Sequence, residues 1–291
     1  MKSAAESAGH ASPLLRTRGA ALAPGSARSL LVTILGELVW PTGRPVWTST
    51  LVHVLKGLGI EEQAARQAIA RGGASDWIVA ERQGRQVRWH LGARLAEIFD
   101  SGSARVFSLS DPFLDWDGQW LAALVNIPAS HRRTRRPLYA GLMWAGLGNP
   151  STGLWVTPHV ERADEVRVLI DHLGLRHCTV SFRGSVDNIG ISEQEIVQKG
   201  WDLETLRAHY VDVLAAVDDL KPEPGEDMLY AFLRMISEWQ ELPRTDPQLP
   251  EALLPGWVGR RVARRIEALR DQWTPEVRRT FAAIDERSTD D

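Results

Sequence analysis

The sequence predicts a multidomain α+β chain with three parts: an N-terminal winged helix-turn-helix, a central ferredoxin-like α/β sandwich and a mainly helical C-terminal domain. Three observations predict it. Apolar residues recur at three- and four-residue spacing from Leu30 to Ile69 and then alternate from Trp77 to Leu91, which is the change of period from helix to hairpin. Strand-like and helix-like runs alternate from Trp120 to about Ile191, and beyond Ser192 only the helical period persists. The expected boundaries are a disordered tail over 1–27, a winged-helix domain over 28–105, a ferredoxin-like domain over 112–191 and a helical domain over 192–291.

Met1 to Ala27 is rich in Ala, Ser and Gly, has no sustained period and lacks the apolar core of a signal peptide. Its cations Lys2, Arg16 and Arg18 add weak phosphate contacts at most. Arg28 to Val39 places Leu30, Leu31, Ile34, Leu35 and Leu38 on one helical stripe, ended by Pro41-Thr42-Gly43-Arg44-Pro45. Thr48 or Ser49 is then positioned to cap a helix to about Lys56, with Leu51, Val54, Leu55 and Leu58 facing inward.

The next predicted helix, Glu61 to Arg71, has an inner face of Ala64, Ala65, Ala68 and Ile69, small enough for a close crossing. Its outer face carries Gln63, Arg66, Gln67 and Arg71, long side chains suited to phosphates and base edges in a major groove. In the hairpin that follows, Gln83-Gly84 supplies the turn. Trp77, Val79, Val87, Trp89 and Leu91 are expected on one face, and Arg82, Arg88 and His90 on the other. Arg82, Arg85 and Arg88 thus gather near a tip that would lie along a sugar-phosphate backbone.

Charge points the same way. Arg28 to Arg94 holds nine Lys/Arg against five Asp/Glu, a net of +4 in a chain whose total is −3. The expected partner is double-stranded DNA, with Thr48, Ser49, Gln63, Arg66, Gln67, Arg71, Arg82, Arg85 and Arg88 at the contact. The competing class is a protein-interaction or scaffold dimer that uses the same module without reading sequence.

In the centre, Trp120 to Ile127 reads as a strand, Ser130 as the cap of a helix to Trp144, and Gly153 to Thr157 as a second strand. Arg162 to Leu173 is a helix by its Val166, Leu169, Ile170 and Leu173 face, and Cys178 to Phe182 is a third strand. A further strand near Val186 to Ile191 would complete a split βαβ unit, whose open face suits dimerisation or a ligand. Past Ser192, one helix is expected through Leu203, Leu206, Tyr210, Leu214 and Val217, and a second from Asp227 to Glu241. A Pro-rich connector over Leu242 to Pro255 precedes a third helix from Trp257 or Val258 to Trp273, after which Thr274-Pro275 begins another.

At 291 residues and 44% hydrophobic the chain supports two or three cores, with no run of the ~20 apolar residues needed to cross a membrane. Cys178 is its one cysteine, so no intrachain disulfide or Cys-based zinc cluster forms, and a cytoplasmic location is expected. No catalytic residues, metal site or cofactor are expected. Ser185 with Asp187, His159 with Glu161 and Asp164, and His172, His177 and Asp171 are neighbours in sequence without a nucleophile motif or metal-ligand pattern.

Four groups of motifs, in order, carry a family resemblance. They are Arg28 to Glu37 with Val46 to Val52, Ala64-Ala65-Arg66-Gln67-Ala68 with Gly84-Arg85, Trp116-Asp117-Gly118-Gln119-Trp120 with Trp144 to Gly148 and Gly153 to Pro158, and Asp246-Pro247-Gln248-Leu249-Pro250 with Leu253-Leu254-Pro255. The chain resembles the PaaX family of bacterial transcriptional regulators. That resemblance implies a homodimeric repressor of an aromatic-compound catabolic operon of the phenylacetate type, released by an aryl-coenzyme A thioester such as phenylacetyl-coenzyme A.

It also implies a central domain similar in fold to small CRISPR-associated nucleases, which raises a metal-dependent nuclease or hydrolase as a remote alternative. Such a nuclease needs converging carboxylates, whereas the first strand ends at Asn126 with only Asp115 and Asp117 ahead of it. Arg132, Arg133, Arg135 and Arg136 form the densest basic run. They suit thioester phosphates, the DNA backbone, or a solvated helix start paired with Asp115 or Asp117. Trp116 and Trp144 suit an aromatic pocket or core anchors equally. Where family members carry His or Arg before the Asp-Pro-x-Leu-Pro run, this chain has Glu238-Trp239-Gln240-Glu241-Leu242-Pro243-Arg244, so its effector need not be the family default.

Overall fold

The computed structural model of the chain describes residues 25–107, 116–187 and 189–288. Most of the expected tail, with Lys2, Arg16 and Arg18, and also Asp115, lies outside the described residues. Helix α1 (Ala27–Ile34) starts one residue ahead of Arg28, because the Ser26 hydroxyl accepts from the Ser29 amide at 3.1 Å. The stripe expected to end in α-helix at Val39 finishes differently. Leu35–Val39 is a π-type turn and Trp40–Thr42 a 3₁₀ turn, since Pro41 has no amide to continue the α ladder.

Strand β1 (Val46–Trp47) leads into α2 (Thr48–Gly57). Neither Thr48 nor Ser49 caps this helix from the preceding position, which Trp47 holds. The Thr48 hydroxyl instead donates to the Val87 carbonyl (3.0 Å) and accepts from Trp89 Nε1 (2.8 Å), tying α2 to the hairpin. Helix α3 (Glu62–Ala74) buries Ala65, Ala68, Ile69 and Gly72 and leaves Gln63, Arg66, Gln67 and Arg71 exposed.

Strands β2 (Ile78–Gln83) and β3 (Gln86–Leu91) pair antiparallel, and β1 pairs with the other edge of β3. Gly84 takes the left-handed turn position at φ 62°. The register of β2 is one residue off the expected alternation. Ile78 is buried, whereas Val79 is 54% exposed and pairs with His90. Arg82 pairs with Val87, so it shares the face of Val87 and Trp89 and stands opposite Arg88 and His90. The cause is Trp77, which closes the end of α3 through its amide to the Gly72 carbonyl (3.0 Å) and does not begin the strand.

Helix α4 (Ala93–Phe107) has no counterpart in the expectation, its Ser-Gly-Ser run hiding the helical period. The central segment then runs β4 (Trp120–Val125), α5 (Arg135–Trp144), β5 (Gly148–Ser151), β6 (Leu154–Thr157), α6 (Ala163–His172) and β7 (Thr179–Gly184). Its sheet order is β5-β6-β4-β7, with every neighbouring pair antiparallel. Two expectations are corrected. Ser130 caps nothing, lying inside a 3₁₀ turn (Ala129–Thr134) ahead of α5. Among the described residues of 185–191 there is no strand, and the fourth strand is β5, whose Gly-Asn-Pro-Ser composition gave no strand signal.

One face of this sheet packs Leu121, Ala123, Val125 and Trp155 against Leu138 and Leu142 of α5 and Val166 and Ile170 of α6. The other packs Trp120, Ala122 and Val156 under Val197 of α7 (Glu193–Gly200) and under Leu249 and Leu253. Further along that second face, Leu124 (38%), Val180 (64%) and Phe182 (58%) are exposed.

Helices α8 (Leu203–Asp218), α9 (Glu226–Thr245) and α10 (Val258–Arg287) complete the chain. The break expected at Thr274-Pro275 does not occur. Val262, Ile266, Leu269, Trp273, Val277, Phe281 and Ile284 form one buried stripe through Pro275, and that burial outweighs the ~3 kcal/mol a helix-interior proline costs. The stripe joins the same hydrophobic core as Leu30, Ile34, Leu51, Leu55, Ile69 and Ile78, so α1–α3 and α8–α10 are one packed body. No described helix is long and apolar enough to cross a membrane.

Candidate nucleic-acid interface

The outer face of α3 and the tip of the β2–β3 hairpin carry most of the residues expected at DNA. Ser49, Gln63, Arg66, Gln67, Arg71, Arg82 and Arg85 are all exposed. Arg66 is engaged within its own helix, donating from Nε (3.1 Å) and Nη2 (2.9 Å) to Glu62 Oε1, while Lys56 Nζ reaches Glu62 Oε2 at 3.2 Å. The hydrogen bonds from Arg66 and Lys56 hold the Glu62 carboxyl below its ordinary range. At this exposure such pairs contribute little to stability, so a phosphate or a base edge can displace them.

Thr48 and Arg88 are placed differently from the rest. Thr48 is committed to the hairpin. Arg88 lies over the Trp47 ring (4.7 Å to its centre), donates to the Pro45 carbonyl (3.5 Å) and stands 4.0 Å from Asp285 of α10. The outer face of β2 and β3 carries Glu81 bonded to His90 and Gln83, contacts that lower the Glu81 pKa. Arg28 sits over the Trp77 ring at 4.3 Å, bracing α1 on the turn between α3 and β2.

The residues expected at an effector are not gathered at one place. Arg132 and Arg133 in the 3₁₀ turn and Arg135 and Arg136 in the first turn of α5 are exposed, and none of the four pairs with an acid among the described residues. Asp117, one of their expected partners, accepts instead from the Gln119 amide at 3.0 Å. Trp144, 51% exposed, ends the same helix. Trp116 lies beyond the opposite face of the sheet, edge-on to Trp120 with ring centres 5.7 Å apart, its Nε1 donating to the Gln119 carbonyl (2.9 Å).

A buried polar centre occupies the Asp246–Pro250 motif instead. Asp246 accepts from Tyr210 Oη (2.9 Å), Trp257 Nε1 (2.7 Å) and the Gln248 amide (2.6 Å). Burial raises its pKa, and these donors together with Arg260 pull it back. His159 Nε2 lies 3.1 and 3.0 Å from the Pro247 and Gln248 carbonyls, and its Nδ1 lies 3.2 Å from Glu161. Arg260 donates to the Leu249 (2.8 Å) and Leu254 (3.0 Å) carbonyls and to Glu251. The spacing of His159 and Arg260 gave no hint of this clamp, which joins residues 89 positions apart.

Cys178 is half-buried, its thiol directed at the Leu175 carbonyl (3.2 Å) just ahead of β7. Among the described residues no group of three or more His, Cys, Asp or Glu is arranged to hold a metal ion.

A helix and hairpin with exposed long polar side chains, mounted on a helical body beside a β-α-β-β-α-β sandwich, define an α+β protein. The family described as PaaX-like protein matches residues 26–95, its central Cas2-like domain residues 114–197, and its C-terminal domain residues 200–283. The chain belongs to the PaaX family. It is 26% identical over 251 residues to the transcriptional repressor PaaX of Escherichia coli (strain K12), a match covering 81% of this chain and 77% of that protein. Its fold is similar to that of the uncharacterized protein Rv0674 from Mycobacterium tuberculosis, with a TM-score of 0.63 at 18% identity, covering 88% of this chain and 99% of the other.

Proposed function

We propose that this protein is a transcriptional repressor that reads double-stranded operator DNA as a homodimer, with residues 28–105 as a winged helix and α3 as its recognition helix. The observation that carries the reading is the division of α3. Ala65, Ala68, Ile69 and Gly72 face the core, while Gln63, Arg66, Gln67 and Arg71 project outward together. Gln and Arg are the side chains that bond adenine and guanine edges in pairs, and Arg82 and Arg85 at the hairpin tip suit the adjacent backbone. Its membership of the PaaX family and its likeness to a named repressor support the same reading.

In this proposal residues 112–191 form a ferredoxin-like dimerisation domain. Leu124, Val180 and Phe182 on its open sheet face meet the same residues of a second copy, pairing two readers for a palindromic site. The regulated operon is catabolic, of the aromatic type, and the effector is an acidic aromatic thioester whose phosphates suit Arg132, Arg133, Arg135 and Arg136. Release from DNA requires that the effector bind the DNA-free arrangement more tightly than the bound one.

The test is a gel shift on the DNA upstream of the protein's own gene, with competitor DNA and titrated aryl-coenzyme A thioesters. A specific shift at physiological salt, reversed by a thioester, is expected; no specific shift would refute the repressor reading. Arg66→Ala and Gln67→Ala should lower specificity. Arg85→Ala should weaken all DNA alike and reduce the salt slope by about 0.9.

A further inference from the structure

Helix α2 has no side-chain cap bond from the residue ahead of it, and both of its ends are tied to the C-terminal helices. At its N-terminus, Asp285 of α10 accepts from the Trp47 amide (3.0 Å) and the Thr50 hydroxyl (2.8 Å) through Oδ1, and Oδ2 faces Arg88 Nη2 at 4.0 Å. Ser288, one turn on, lies 3.1 Å from the Thr50 hydroxyl, and its carbonyl accepts from Gln86 Nε2 at 3.3 Å. At the C-terminus, Arg234 of α9 donates to the Gly57 carbonyl at 3.4 Å. Between them His53 lies 3.0 Å from Glu226, which also accepts from Tyr230 Oη (2.7 Å) and faces Arg287 Nη2 (3.4 Å). An anion at the N-terminus and a cation at the C-terminus match the sign of the helix dipole.

We infer that Asp285 and Arg234 are positioning residues for DNA recognition: the α9–α10 pair acts as a splint that sets α2, and through α2 both reading elements. Each reading element is attached to α2. Helix α3 packs against it, and the hairpin hangs from it by Thr48, which bonds Val87 and Trp89. Asp285 is the junction, since one carboxylate holds the β1–α2 corner and, through Arg88, the neighbouring strand. A displacement of α10 by a fraction of a hydrogen-bond length therefore moves helix and hairpin together. This supplies a physical route by which events among the C-terminal helices alter affinity for DNA.

The inference rests on the reading of α3 and the hairpin as the DNA contact, and the experiment separates the two. Full-length wild type, Asp285→Ala, Asp285→Asn and Arg234→Met are compared by titration with specific and non-specific duplexes over a range of salt, and by hydrogen exchange without DNA. Asp285→Ala should lose about tenfold in specific affinity, the scale of one lost hydrogen bond to a charged group. Its non-specific affinity and salt slope should stay unchanged, because no phosphate contact is removed. Asp285→Asn, which keeps an acceptor for the Trp47 amide and the Thr50 hydroxyl, should recover most of that loss. Amides of residues 47–51 should exchange faster in Asp285→Ala, and those of β4–β7 should not.

Arg234→Met should show the same loss of specificity, with faster exchange at the other end of α2. If wild type binds specifically and Asp285→Ala binds equally well with unchanged exchange, the splint is refuted and the DNA reading stands. If wild type shows no specific binding but exchange at 47–51 responds to Asp285, the DNA reading fails while the brace itself is real. Equal loss of specific and non-specific binding in Asp285→Ala, with no rescue by Asn, would mean a general loss of structure and overturn the positioning role.

Discussion

Replacing Asp246 by Ala should be among the most damaging single changes in the chain. The residue is 5% exposed and accepts three hydrogen bonds, from Tyr210, Trp257 and the Gln248 backbone. Truncation leaves three donors in a space without acceptors, at about 1–3 kcal/mol for each one that finds no substitute. The Tyr210 hydroxyl can rotate and the buried carboxyl no longer costs desolvation, which together offset part of the sum. A net loss of about 3–5 kcal/mol follows. The Gln248 amide bond also holds that residue at φ +54°, so its loss frees the turn whose carbonyls receive His159.

Asp246→Asn is the sharper probe. It preserves volume but offers one oxygen where two are used, and it turns an NH₂ against either Trp257 Nε1 or the Gln248 amide. Urea titration followed by tryptophan fluorescence should place both variants far below wild type. If Asp246→Asn unfolds within ~0.5 kcal/mol of wild type, the residue acts by filling space and the argument from acceptors is wrong. The pH dependence has a definite sign. Burial raises the Asp246 pKa above its unfolded value, so its contribution is complete below the ordinary aspartate range and declines as pH rises through the raised value. The gap between wild type and Asp246→Asn should therefore be widest in acid.

Three further outcomes are expected. At Gly57 an added Cβ would sit 2.0 Å from the Tyr230 ring, so Gly57→Ala must displace Tyr230 from Glu226, with a loss of about 1–3 kcal/mol by thermal unfolding and faster amide exchange at the end of α2. On the proposed dimer, Phe182→Asp should leave the fold intact, since the side chain is 58% exposed, but give a monomer in light scattering where wild type gives a dimer, and weaken binding to a two-half-site operator far more than to a half-site. The Glu226 carboxyl is held below its ordinary range, first by Tyr230 and then by His53, so its contribution is present above the unfolded glutamate pKa and lost as pH falls through the lowered one. Protection of the α2 amides, taken relative to their intrinsic exchange rates, should accordingly fall more steeply with acidification in wild type than in Glu226→Gln.

What could be read in the sequence was what repeats along one element. The stripes of α1 and α2, the small inner face of α3 and the Gly84 turn are local patterns, and the structure keeps them. The misreadings came where a distant partner overrode a local rule. Thr48 has the chemistry of a cap, but Trp89 and Val87 claim its hydroxyl. Trp77 fits the strand alternation, but the close of α3 takes it out of the strand and shifts Val79 outward. Pro275 has the chemistry of a helix breaker, but the stripe beneath it continues to Ile284. Of the candidate DNA contacts, those on α3 and at the hairpin tip stay exposed as a group, whereas Arg88 is drawn to Trp47 and Asp285 by a helix almost two hundred residues away. No periodicity in either segment encodes that meeting.

The shared core constrains how any signal can act. A reading head on a flexible tether could swing free when a ligand binds, but here α1 is bonded to α9 through Thr33 and Gln240 (3.0 Å) and the turn after it to α10 through Glu37 and Arg270 (2.9 Å). Glu37 is buried, so parting that pair alone strands a charge, at about 3–5 kcal/mol. Separating α1 from α9, against which it packs in the shared core, adds about 1.5–3 kcal/mol for each large apolar side chain exposed. A small effector's differential affinity of a few kcal/mol is too little to detach such a head. Under the proposed effector control, the smaller adjustment is a rotation of the whole body of α1–α3 with α8–α10 against the central sandwich, across a junction that holds the bonds of His159 to the Pro247 and Gln248 carbonyls and the packing of Trp120 and Val156 under Leu249 and Leu253. In the proposed dimer, joined through the sandwiches, such a rotation changes the spacing of the two α3 helices while leaving each one intact.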